Sequence, residues 1–183
     1  MPASLILVPR ISSFPAHEAR AWAVLRWLIR RNIVEALPST CGGAGARGMA
    51  YAIAPGARDI VEQPERLPYG RPLNGLEIVT RRCIYVPTEG FAGEAGCPEC
   101  RQEIGEALFD SLEEWMPGET DNFTCPECGF EDDINGFLFL QPCAFSNLGL
   151  VFHGWGETSF RADFLEELAG RLGQPVAQVP VRD

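Results

Sequence analysis

The chain has 183 residues, 46% of them apolar and 22% charged, with 25 acidic against 15 basic side chains and a net charge of −10. That composition supports a buried core and excludes disordered, fibrous and collagen-like classes. The opening MPASLILVPR has no basic flank and no small-residue cleavage site, and no stretch reaches the roughly 18 apolar residues of a membrane span, so the expected protein is soluble and cytoplasmic.

The run SLILV at 4–8 predicts a buried strand. From Pro15, placed in a first turn, to Leu37 the pattern is helical: Trp22, Leu25, Ile29 and Ile33 share one face, with Val24, Trp27 and Leu28 widening it and Pro38 as the stop. The tract CGGAGARG at 41–48 is glycine-rich but lacks the Gly-Lys-Ser/Thr ending of a phosphate loop, and reads as a connector. Strands follow at 49–54 (MAYAIA) and 76–86 (LEIVTRRCIYV), separated by a loop rich in proline and glycine. Beyond the cysteine-bearing region, strands are expected at 136–141 and 148–155. A helix follows, capped by Thr158 or Ser159, with Phe160, Phe164, Leu168 and Leu172 on one face and Gly173 and Pro175 at its end. A last strand, 176–181, carries Pro180, which favours a sheet edge. The fold class is therefore α+β: a mixed or antiparallel sheet with two main helices, ferredoxin-like in one version. The core is assigned to 1–88 and 134–183, with residues 89–133 as an inserted module.

The seven cysteines are an odd number, which argues against a secreted disulfide framework. Four of them form two Cys-Pro-Glu-Cys pairs, Cys97/Cys100 and Cys125/Cys128, separated by 24 residues. Each short turn aims two thiolates to one side, and two such turns close a tetrahedral shell. A redox motif uses one such pair at a helix start rather than two alike, and a catalytic zinc keeps an open position, so a closed structural site is the reading preferred. Cys41, Cys83 and Cys143 are assigned to the core. These pairs resemble a CPxC-type zinc ribbon over residues 89–133, which implies zinc held by Cys97, Cys100, Cys125 and Cys128. Gly129 follows the second pair as the ribbon pattern prefers, whereas Arg101 stands where glycine is usual. The segment between the pairs, EIGEALFDSLEEWM, predicts an amphipathic helix with Ile104, Leu108, Leu112, Trp115 and Met116 on one side. The module is expected to have few apolar residues of its own, leaving metal as its main source of stability.

Charge is concentrated in the same place. Residues 89–133 hold 14 acidic residues and one basic, Arg101, a net of −13, so the rest of the chain carries +3. Four thiolates around one dication add about −2. Such a surface repels a phosphate backbone and attracts a basic protein. The candidate partner-binding residues are Glu103, Glu106, Asp110, Glu113, Glu114, Glu119 and Asp121. Two bland uses of the charge compete with this, a solvated face and docking on the chain's own arginines. The whole chain also resembles, in general layout only, the immunity proteins of type VI and polymorphic bacterial toxin systems; that resemblance implies a non-enzymatic inhibitor of a basic partner, such as a toxin nuclease. Two alternatives stand beside it: a nucleic-acid-binding or regulatory role through Arg26, Arg30, Arg31, Arg81 and Arg82, and an enzyme with a polar site around His153.

Overall fold

The computed structural model describes residues 3–41, 50–88 and 90–182. Apart from Cys41, the glycine-rich tract read as a connector lies outside the described residues, as do Met49 of the expected strand and Glu89. In chain order the elements are β1 (Ala3–Pro9), α1 (His17–Arg30), β2 (Val34–Ser39), β3 (Ala50–Ile53), β4 (Leu76–Val79), β5 (Cys83–Tyr85), β6 (Ala95–Gly96), α2 (Gly105–Asp110), α3 (Leu112–Trp115), β7 (Asn122–Thr124), β8 (Glu131–Asp133), β9 (Leu138–Phe139), β10 (Ala144–Ser146), β11 (Gly149–Phe152), α4 (Ala162–Leu172) and β12 (Val176–Arg182). The fold is α+β, as expected.

Six strands form one sheet of order β12-β1-β11-β4-β3-β2. Every adjacent pair is antiparallel, with Leu5 opposite both Phe152 and Pro180. The four strands β12-β1-β11-β4 form two split β-α-β units with α1 and α4, which is the ferredoxin-like order. Strands β3 and β2 extend it on one side, and β12, with its proline, lies at the other edge as predicted. Side chains alternate across β1, so Leu5 and Leu7 face the helices while Ile6 and Val8 face away. Both sets are buried, and this explains the continuous apolar run.

The helices share the first face. Val24, Leu25, Trp27 and Leu28 of α1 pack against Phe164, Leu168 and Leu172 of α4, and the Trp27 and Phe164 rings stack 5.8 Å apart. Trp22, expected in the apolar stripe, is instead 54% exposed. Helix α1 also ends earlier than Leu37, and Pro15 lies before its N-cap rather than in its first turn. The stop is Asn32, whose φ of 59° is left-handed. Its N–H bonds to the Ile29 carbonyl and that of Ile33 to the Leu28 carbonyl, a Schellman closure that frees Ile33 and Val34 to enter β2. Asparagine tolerates this conformation and a β-branched residue does not. Asn32→Val is therefore expected to destabilise the protein by about 1–2 kcal/mol, and Asn32→Gly by no more than a few tenths, in urea titrations.

Helix α4 keeps Phe164, Leu168 and Leu172 of its predicted apolar row and its stop, since Gly173 has a φ of 69°, whereas Phe160 lies before the helix, bridged to Val61. Its N-cap is Arg161, not Thr158 or Ser159. Thr158 Oγ1 accepts instead from the Gln63 N–H, tying the preceding loop.

The second sheet face is covered by a two-stranded ribbon, β5 with β10. The expected single strand 76–86 thus divides at Thr80–Arg82: β4 stays in the main sheet and β5 crosses over it. Strand β11 is shorter than 148–155 because the chain turns after Phe152, with Gly154 at a φ of 81°, and the expected strand at 136–141 shrinks to β9. Alternation makes this ribbon an adhesive layer. Tyr85 and Ala144 pack down on Ile6, Val8, Val79, Val151 and Val179, while Ile84 and Phe145 point away, into the cysteine-bearing segment.

Candidate metal centre and its acidic surroundings

The two cysteine turns repeat one backbone design. Cys97 N–H bonds to the Gln102 carbonyl and Arg101 N–H to the Cys97 carbonyl; Cys125 N–H bonds to the Phe130 carbonyl and Gly129 N–H to the Cys125 carbonyl. The fifth residue of each turn needs positive φ: 63° at Arg101 and 80° at Gly129. Glycine adopts this freely, arginine at a cost. Arg101→Gly is accordingly expected to raise stability by about 0.5–1 kcal/mol, the relief being partly offset by the freer unfolded chain, and chemical denaturation measures it.

These turns bring all four sulfurs within 4.8 Å of one another. Cys97 Sγ lies 3.6 Å from Cys128 Sγ, and Cys100 Sγ 3.7 Å from Cys125 Sγ. A regular tetrahedron with metal–sulfur bonds near 2.3 Å has edges of about 3.8 Å, so the four thiols fit a metal ion. Cys97 and Cys125 are buried, Cys100 is half-buried and Cys128 is exposed. The thiols also share charge unequally. Burial raises Cys97, but N–H donation from Cys100 and Glu99 and the neighbouring thiols of Cys128 and Cys100 outweigh it and bring it down to about 7. For Cys128, the Phe130 N–H lowers it, while burial and the other three thiols push it up to about 12. One thiolate forms readily and opposes the next, a conflict that a bound dication removes. Cys143 belongs to the core and not to this cluster; burial pushes it up to about 12 against the pull of Arg10. Cys41 is buried as expected, whereas Cys83 is only half-buried.

Contrary to expectation, the surrounding segment has a substantial apolar core. Ile104, Leu108, Leu112, Trp115, Phe123, Ile134, Phe137 and Phe145 are buried around Cys97 and Cys125, with Phe109, Phe130 and Phe139 packed against them. Phe137, Cys143 and Phe145 of this cluster come from beyond residue 133. The helix predicted between the cysteine pairs breaks at Ser111, whose hydroxyl donates to the Leu108 carbonyl, giving α2 and α3. Met116 falls past the end of α3 and is 41% exposed rather than part of the apolar side.

Polar contacts tie this segment to the main core. Arg82 donates to the carbonyls of Trp115 and Thr120, to Asp121 Oδ1 and to Ser13 Oγ, and its guanidinium lies 4.1 Å from the Trp115 ring centroid. Asp133 accepts from the N–H and hydroxyl of Ser12, and Trp115 Nε1 donates to that same hydroxyl. Of the candidate partner-binding carboxylates, Asp121 is therefore engaged by the chain's own arginine. Glu103 is engaged too: its Oε1 accepts from Gly105 N at 2.8 Å, at the start of α2. Among the described residues, Glu106, Asp110, Glu113, Glu114, Glu119 and Glu127 are exposed and their carboxylates have no hydrogen-bond or ion-pair partner.

His153 Nε2 lies 3.0 Å from Glu77 Oε1, with side chains only 12% and 14% exposed. Sequence reading missed Glu77, because 76 residues separate the pair and only the β4–β11 pairing brings them together. Among the described residues no hydroxyl or thiol is in hydrogen-bond contact with this ring. Of the arginines proposed for nucleic acid, Arg31 pairs with Glu167 at 2.9 Å, Arg82 is spent on the cysteine-bearing segment, and Arg26, Arg30 and Arg81 are exposed. Among the described residues, no helix is long and apolar enough to cross a membrane.

Compared with protein-family models, with curated proteins and with solved structures, the chain matches none.

Proposed function

We propose that the chain is a zinc-stabilised, non-enzymatic protein-binding protein whose acidic face receives a basic partner. The closed set of four cysteine ligands favours structural zinc over a catalytic metal, which keeps a position open for water or substrate. Eight exposed carboxylates without partners among the described residues of the same segment, Glu94 and Glu99 with the six named above, carry the functional half of the reading, since their charge is not consumed within the described fold. A field of this sign steers a basic surface toward it and disfavours a nucleic-acid backbone. Among basic partners we favour one that is neutralised on binding, as a cytoplasmic immunity protein neutralises a toxin. The compact acidic layout supports this reading.

The test is a pull-down from lysate at low salt, identifying bound proteins and nucleic acids, with zinc counted by native mass spectrometry on the purified chain. The expected result is one zinc per chain and one stoichiometric basic protein, released by a few hundred millimolar salt. Retention of nucleic acid instead, or binding that is indifferent to salt, sinks the reading.

A further inference from the structure

The acidic face is not uniform. Leu138 and Leu140 are 43% and 76% exposed on and beside β9, and they line a cavity of about 380 Å³ with Phe139, Glu94, Glu103 and one cation, Arg101. Glu103 is also a wall of a second cavity of about 380 Å³, bounded by Ile104, Glu106, Asp110 and Glu127. The two cavities share Glu103 as a wall, so they adjoin there as the two ends of a trough. One end presents two leucines to solvent, and the other presents carboxylates from α2 and from the second cysteine turn facing each other, with no basic residue among them.

Resting on the proposed function above, we infer that this trough is the docking groove, and that its occupant is an extended basic segment of the partner protein with leucine-like side chains beside arginines or lysines. The pattern of the trough dictates the pattern of the ligand. Exposed leucines side by side mark a surface that gains by being covered. Among the described residues, Glu106, Asp110 and Glu127 have no cation partner, so a guanidinium or ammonium placed there displaces no ion pair among them. A short basic segment also fits the trough's small volume better than a flat protein face. Zinc enters this design as a scaffold: Glu127 stands inside the second Cys-Pro-Glu-Cys turn, so closing that turn fixes one wall of the groove relative to α2.

Two fluorescein-labelled peptides of equal charge serve as probes, one alternating arginine with leucine and the other arginine with serine. Binding is read by fluorescence anisotropy in about 50 mM and about 200 mM salt. The leucine peptide is expected to bind about tenfold more tightly than the serine peptide. Leu138→Ser/Leu140→Ser is expected to erase that preference while leaving the serine peptide unchanged. The set Glu106→Gln/Asp110→Asn/Glu127→Gln is expected to weaken both peptides about tenfold, whereas Glu113→Gln/Glu114→Gln/Glu119→Gln, which removes equal charge outside the trough, costs only about two- to threefold. Circular dichroism confirms that each variant is folded. Equal binding of the two peptides, or equal losses from the two charge sets, overturns the groove. If the pull-down yields a basic protein whose affinity is unmoved by the leucine and groove variants, the groove fails and the proposed function stands. If it yields nucleic acid, or a second copy of this chain, the proposed function itself fails.

Discussion

Chelating the metal proposed for the four-cysteine site, or replacing Cys97 or Cys125 by serine, is expected to unfold the segment around residues 95–140 while the six-stranded sheet and its two helices persist. Structural zinc contributes on the order of 10 kcal/mol to small modules, more than the whole stability of many domains. Here the two cysteine turns are also the floor of the aromatic cluster, since Cys97 and Cys125 are buried among Phe123, Phe137 and Trp115. Loss of the closed shell leaves several thiols crowded together and removes the constraint on both turns. The main sheet has its own support, because the faces of α1 and α4 are buried against β1, β4 and β11 without any residue of the segment. The effect therefore has a boundary, and hydrogen exchange locates it. Amides of α2, α3, β7 and β8 should lose protection on chelation, whereas those of β1, β11 and α4 should keep theirs. Binding of metal by thiolates competes with protons, so chelation should become easier as pH falls. Global unfolding, or unchanged protection throughout, would contradict a locally acting structural metal.

What the sequence disclosed, and what it hid, follows from the range of each signal. The cysteine pairs were legible because a four-residue turn is complete in itself: spacing, proline and the positive-φ position lie together, and the structure repeats them with the same backbone hydrogen bonds. The strand at 4–8 was legible as an unbroken apolar run, and the first helix and the α4 row of Phe164, Leu168 and Leu172 because their periodicity runs long enough to be counted. The end of α1 was not, since Ile33 and Val34 continue an apolar pattern across Asn32 and only a left-handed residue separates the two elements. The aromatic cluster escaped notice because Phe123, Phe130, Phe137, Phe139 and Phe145 lie singly in loops and in strands of two or three residues, where neither period is long enough to read. The candidate carboxylates were visible as a charge run, but which of them face solvent depends on long-range pairing. Asp121 finds Arg82 from 39 residues away, and Glu127 joins Glu106 and Asp110 only when the second cysteine turn closes.

Arg82→Ala is expected to destabilise the protein by about 2–4 kcal/mol, with Arg82→Lys recovering less than half of that loss. The side chain leaves the loop between β4 and β5 and is only 17% exposed. Its donors satisfy the carbonyls of Trp115 and Thr120 and the Asp121 carboxylate at once, at the junction between the sheet and the cysteine-bearing segment. Removing it leaves the Thr120 carbonyl without its donor, while the Trp115 carbonyl keeps the Gly118 N–H and Asp121 keeps the Ser13 hydroxyl. Breaking a buried ion pair costs about 3–5 kcal/mol, but Asp121 is 42% exposed and water screens its share, which brings the figure down. Lysine cannot replace the guanidinium, because its donors radiate from one nitrogen and cannot span a planar set of acceptors on two sides of a ring. The stacking over Trp115 is lost as well. Because Trp115 is also held through Ser12, the substitution should broaden the near-ultraviolet signal of its indole before the main sheet unfolds. A double-mutant cycle with Asp121→Asn separates the charge pair from the other contacts: a coupling of about 1 kcal/mol or less against the larger total would assign most of the loss to the carbonyl contacts and the stacking on Trp115. If Arg82→Ala left the unfolding midpoint unchanged, the latch between the two halves of the molecule would have to be sought in Asp133 and Ser12 instead.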